Sequence, residues 1–204
     1  MPARKGNTPE KILAAASSVF LAHGFRDTSM QMIANKVGIS APGLYKHFES
    51  KEAIFSALVD PLIEGIREIL HLTEAQKDEL FAQNRTDEVW DKEKTFSDTL
   101  DFIYKNFDGM KLLICCAAGT AYENIVDRIA DYETRIILKT LPDLREKGFS
   151  IPMVEEETIS LMIRNQYHTY VEFIKNDLSR AEADAFIKAA GTFFTAGWRA
   201  LFGF

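Results

Sequence analysis

Tyr45, Lys46 and His47 stand in a row just after a Pro42-Gly43 pair, and Lys51 follows four residues later. Together they offer a phenol, two ammonium groups and an imidazole, all able to donate to an anionic oxygen. None has beside it a paired carboxylate or a nucleophile–base arrangement of the kind bond-breaking requires. The four histidines (His23, His47, His71, His168) share no spacing suited to a metal. The adjacent thiols Cys115 and Cys116 read as inert packing in an apolar helix. No phosphate loop or nucleophile elbow is found. The chemistry on offer is anion recognition, and no enzyme activity, metal or cofactor is expected.

Charge agrees with that reading. The chain of 204 residues carries a formal net charge of −6. Residues 1–54 nevertheless hold seven Lys/Arg against four Asp/Glu, so a basic first quarter precedes an acidic remainder. Such a split suits a protein that meets a polyanion at one end only. No run approaches the roughly 18 apolar residues of a membrane span. The basic start MPARKGN lacks the apolar stretch of a secretory signal. Two neighbouring cysteines cannot staple distant segments and fit a reducing compartment, so a cytoplasmic location without membrane attachment is expected.

The elements that must position these groups read as helices throughout, and the predicted class is all-α. Thr8-Pro9-Glu10 opens a first helix with Ile12, Ala16, Val19 and Phe20 inward, and Gly24 is read as its stop. Thr28 and Gln31 form a capping-box pattern for a second helix, which Gly38 ends. Ser40 caps a third, reaching only to about His47, and Ser50 caps a long fourth over Lys51–Leu70. A loop is expected near residues 83–86. Thr120 and Glu123 are read as a capping box before Ile125, and Pro142 with KGFSIP as a break. Two last helices are expected over about Val154–Lys175 and, after a Ser179/Glu182 capping box, Ala181–Leu201.

The second and third helices, joined by Gly38-Ile39-Ser40, carry the signature of a helix-turn-helix. Ala34 is small where the helices cross, Gly38 supplies the left-handed turn, and Ile39 and Leu44 are the expected buried pair. The third helix is then the reader. Pro42 costs no hydrogen bond in the first turn, and Gly43 removes bulk at the tip. Free N–H groups at that end favour phosphate.

The stretch FLAHGFRDTSMQMIANKVGISAPGLYKHFESKEAIF, residues 20–55, resembles the DNA-binding domain of the TetR family of bacterial transcriptional repressors. The resemblance rests on Gly24-Phe25, Thr28, Ile33-Ala34, Gly38-Ile39-Ser40, Leu44-Tyr45, His47-Phe48 and Ser50-Lys51-Glu52, about a quarter of the chain. It implies a DNA-binding set of Thr28, Ser29, Ser40, Ala41, Pro42, Gly43, Tyr45, Lys46, His47 and Lys51. Thr28 would cap the second helix and touch phosphate, and His47 and Lys51 would clamp phosphates. Gln31, Met32 and Ala41 depart from the charged residues common there, leaving Ala41 only a methyl to offer.

The resemblance also implies a three-helix head over residues 1–52 and a helical effector-binding and dimerisation domain over 53–204. The partners would be an operator in double-stranded DNA, a small apolar or aromatic effector, and a second copy docked through the last two helices. Ile187, Ala190, Phe194, Gly197 and Leu201 make one stripe suited to that docking. Ile159, Met162, Ile163, Tyr167, Tyr170 and Ile174 make the other. Candidate effector-lining residues are Phe102, Phe107, Met110, Cys116, Tyr122, Tyr167 and His168, with His168 the preferred polar anchor among Arg164, Asn165 and Gln166.

Overall fold

Ile12, Ala16, Val19 and Phe20 recur at helical spacing, and all four are buried on the inner face of the first helix, α1 (Thr8–Asp27). A computed structural model describes residues 8–83 and 93–203. The expected loop at 83–86 falls, beyond Gln83, outside the described residues. Gly24 breaks the first helix as expected: it takes φ 74°, ψ 167°, which only glycine adopts without strain, and a separate turn follows across that kink to Asp27.

The order continues with α2 (Met30–Val37), α3 (Ala41–Tyr45), α4 (Lys51–Ala82), α5 (Glu93–Lys105) and α6 (Phe107–Cys115). Then come α7 (Ile125–Glu146), α8 (Glu156–Tyr170), α9 (Glu172–Lys175) and α10 (Arg180–Phe202). Every regular element among the described residues is a helix, as the apolar periodicity predicts.

Caps account for several boundaries. Ser50 Oγ accepts the Ala53 N–H at 3.1 Å and starts α4, which outruns its expected end at Leu70 and passes through Pro61. The Ser179/Glu182 capping box is complete, each side chain bonding the other's backbone N–H. Two other expected boxes are not caps. Ser29, not Thr28, caps α2, accepting the Met32 N–H at 3.2 Å, while the Gln31 amide bonds Asn35. Thr120 and Glu123 stay in the turn before α7, bonding Tyr122 N–H and Gly119 N–H respectively, and Asn124 occupies the N-cap.

Pro142 does not break the chain either; it lies exposed within α7, which runs on to Glu146. The single helix expected over 154–175 is two, α8 and α9, parted at Val171.

The chain divides into two units. One reaches to Glu74 and takes in Lys105–Glu123; the other comprises Ala75–Tyr104 and Asn124–Phe204. In the first, Phe20, Phe25 and Phe55 form an aromatic cluster with centroids 5.2–5.8 Å apart. Tyr122 packs on Phe55 at 6.1 Å and hydrogen-bonds Ser56 and Asp60 of α4. In the second, Ala130, Leu141, Leu144, Ile159, Ile163, Trp198 and Phe202 of α7, α8 and α10 build a core with Ile151 of the α7–α8 connection.

Candidate nucleic-acid interface

The turn between α2 and α3 is set by Gly38. Its φ of 81° lets its N–H return to the carbonyls of Ala34 (2.9 Å) and Asn35 (3.2 Å), and Ile39 N–H also reaches Ala34 O at 3.0 Å. Ile33, Ala34 and Leu44 are fully buried and hold the two helices together. Ile39 is only half-buried.

At the head of α3, Ser40 is extended (φ −74°, ψ 153°) and its hydroxyl accepts the Gly43 N–H at 3.2 Å. A Cβ on residue 43 would lie 3.2 Å from that same oxygen. Gly43 therefore keeps the cap uncrowded as well as thinning the tip. Ala41 and Pro42 fill the first turn, where a missing N–H removes no helical bond.

The tip of α3 faces solvent. Tyr45 is 54% exposed, which leaves its ring and hydroxyl accessible to a partner. Ser29, Ser40, Pro42, Lys46 and His47 are exposed, and Ala41 and Gly43 half-buried. Lys46 makes no ion pair among the described residues, so its charge is available. Ser40, Tyr45, Lys46 and His47 thus present exposed polar groups on and beside a short, capped helix.

Two of the expected residues sit differently. Thr28 is 3% exposed, and its hydroxyl donates to Gly24 O at 2.7 Å. Lys51 is half-buried, its Nζ donating to the carbonyls of Phe25 (2.7 Å), Thr28 (2.7 Å) and Arg26 (3.4 Å). It also lies 4.2 Å from the centre of the Phe25 ring.

The effector candidates are spread over both units. Phe107, Met110, Cys116 and Tyr122 belong to the first, where Met110 and Cys116 are buried and burial raises the Cys116 thiol above its ordinary value. Phe102, Tyr167 and His168 belong to the second. His168 is exposed on α8 and bonds Asp127 at 2.8 Å, with Arg164 bridging to Asp131 at 3.0 Å.

The sequence reading passed over a buried polar network in that second unit. Gln166 is 8% exposed; it accepts from the Trp198 indole at 2.6 Å and donates to the Tyr170 hydroxyl at 3.0 Å. Desolvation pushes the Tyr170 phenol up to about 12, with the negative charge of buried Glu133 adding to it. Desolvation and then Glu133 also raise Tyr167 well above the usual phenol range. A glutamine placed among Ile163, Tyr167 and Tyr170 was the available signal for this network.

Of the stripes expected to dock, Ile187, Ile159, Ile163 and Ile174 are buried within the unit itself, whereas Gly197 and Met162 are exposed and Ala190, Phe194 and Leu201 half-buried. Beside them Ala185, Ala189, Phe193, Ala196 and Ala200 of α10 and Leu161 of α8 are also exposed, an apolar face the stripes did not include. Phe193 is 74% exposed.

Comparison with known proteins bears on this surface. Residues 12–58 match the model of the bacterial regulatory proteins, tetR family. The chain is 38% identical over 76 residues to the HTH-type transcriptional activator FasR of Mycolicibacterium smegmatis, covering 35% of each chain. It is 31% identical over 147 residues to the uncharacterized HTH-type transcriptional regulator YfiR of Bacillus subtilis, covering 72% of this chain and 63% of that protein. It thus spans less than two thirds of either relative. These relatives are transcriptional regulators, in keeping with the expectation of a non-enzyme. The fold is similar to that of the fatty acid degradation regulator FadR from Bacillus halodurans, with a TM-score of 0.54 at 14% identity, over 96% of this chain and 98% of that one. No described helix is long and apolar enough to cross a membrane.

Proposed function

We propose that this chain, whose residues 12–58 match the tetR-family model, is a regulator of that family that represses transcription by binding a pseudo-palindromic operator as a homodimer and lets go when a small effector binds. The observation that carries the reading is the exposed, capped tip of α3, with Tyr45, Lys46 and His47 facing outward beside Ser40. Ser29, Ala41, Pro42 and Gly43 complete the surface. Donors on the flanks would hold phosphates and fix register, while Tyr45 and the slim Gly43 end would meet base edges.

A single five-residue helix reads too little DNA for useful specificity, so two heads about one DNA turn apart are inferred. The exposed apolar face of α10 and α8 supports pairing of two copies, since isolated domains seldom leave such a stripe bare. The aromatic candidates in each unit, with Met110 and Cys116 in the first, support an apolar or aromatic effector. Such a ligand acts only through unequal affinity for the bound and released states.

Selection of bound sequences from a random DNA pool tests the reading directly. An enriched palindrome is expected. If each head neutralises about four phosphates, log Kd for that site should also follow log salt with a slope of magnitude about 7. No enrichment, or a flat salt response, would leave a helical ligand-binding protein with a silent head.

A further inference from the structure

Resting on that DNA-binding reading, we propose that Lys51 is a positioning residue: it sets the α1–α2 connection through backbone carbonyls and does not grip a phosphate. An ammonium has three protons and no more. Lys51 directs its Nζ at three carbonyls, those of Phe25 and Thr28 at 2.7 Å each and that of Arg26 at 3.4 Å. The two short contacts are charge-assisted bonds of good length. The Phe25 ring, 4.2 Å from Nζ, covers another side of the charge. A phosphate oxygen could be reached only by surrendering one of these partners.

The carbonyls belong to the stretch that joins α1 to α2. Gly24 is in the left-handed region, and Thr28 closes the turn through its N–H to Phe25 O (3.2 Å) and its hydroxyl to Gly24 O (2.7 Å). The Phe25 peptide is held from its other side too, its N–H donating to Cys116 O at 2.9 Å. Ser29, which caps α2, follows directly on Thr28. Whatever fixes the Thr28 carbonyl fixes the first turn of α2, and α2 carries α3 through the Gly38 turn. Lys51 reaches this stretch from the start of α4, more than twenty residues away in sequence.

Arginine separates the two roles. It binds phosphate at least as well as lysine, but its planar fork cannot send three protons to a tripod of carbonyls. Lys51→Arg is therefore expected to weaken binding to the selected operator by about tenfold. It should also speed amide exchange at Met30–Ile33 in the DNA-free protein. In the wild-type protein, scalar coupling across hydrogen bonds should join the Lys51 ammonium nitrogen to the carbonyl carbons of Phe25 and Thr28, in both the free and the operator-bound states. Full binding by Lys51→Arg with unchanged exchange would overturn the proposal. So would loss of those couplings on DNA with a new coupling to phosphorus, a wild-type measurement that holds even if the variant does not fold. A wild-type protein that binds no DNA sequence but keeps the couplings would sink the DNA-binding reading and leave the clamp standing.

Discussion

The Trp198 indole N–H donates to the side-chain oxygen of Gln166 at 2.6 Å, with both side chains only 8% exposed. This bond ties α10 to α8 inside the second unit. Trp198→Phe should leave the Gln166 oxygen buried without that donor and lower unfolding free energy by about 1–3 kcal/mol beyond the loss of ring area. Adding Gln166→Leu should recover part of the loss, which a urea double-mutant cycle would reveal. Strictly additive losses would mean the bond contributes nothing.

Tyr170 makes stability depend on alkaline pH. Its phenol ionises near 10 when unfolded and at about 12 when folded. The folded state is thus favoured in full below pH 10, and this contribution is lost as pH rises from 10 to 12. The loss should amount to about 2–3 kcal/mol at most. Denaturation midpoints measured across that window should fall less steeply for Tyr170→Phe than for the wild type.

Gly38→Ala should cost about 1–2 kcal/mol through backbone strain alone, since φ is 81° and an added Cβ meets nothing within 4 Å. Asparagine tolerates the left-handed region better, so Gly38→Asn should cost less. Equal losses for the two in urea melts would point to a hidden clash instead.

If two copies pair through the exposed apolar face of α10 and α8 as proposed, Phe193→Glu should convert the dimer into a monomer without unfolding it. The side chain is 74% exposed in the single chain, so the fold does not need it, whereas a buried unpaired carboxylate would penalise a paired apolar face heavily. Light scattering should report half the wild-type mass at unchanged helicity. An unaltered mass would place the contact between copies elsewhere.

How far the sequence alone could go depended on how local each determinant was. Gly38, Ser40, Ser50 and the Ser179/Glu182 box act within four residues of themselves, and each performs the predicted task. Where two local choices were nearly equal, the prediction erred. Thr28 and Ser29 are adjacent hydroxyls, and burial together with a bond to Gly24 O takes the first away from the cap. Lys51 was legible as a cation but not by its partners, which chain folding brings from residues 25–28. In α10, alanines and glycines occur around the whole circumference, so apolar periodicity could not say which side was left bare.

The bond from Phe25 N–H to Cys116 O has a practical corollary for anyone transplanting the head onto another body. A fragment ending at the family motif, near Leu58, would orphan that amide and bare the Phe55 ring where Tyr122 now lies. The graft would fray at the segment just ahead of α2 and expose a sticky aromatic surface. A hybrid regulator would have to import residues 105–123 as part of the donor piece.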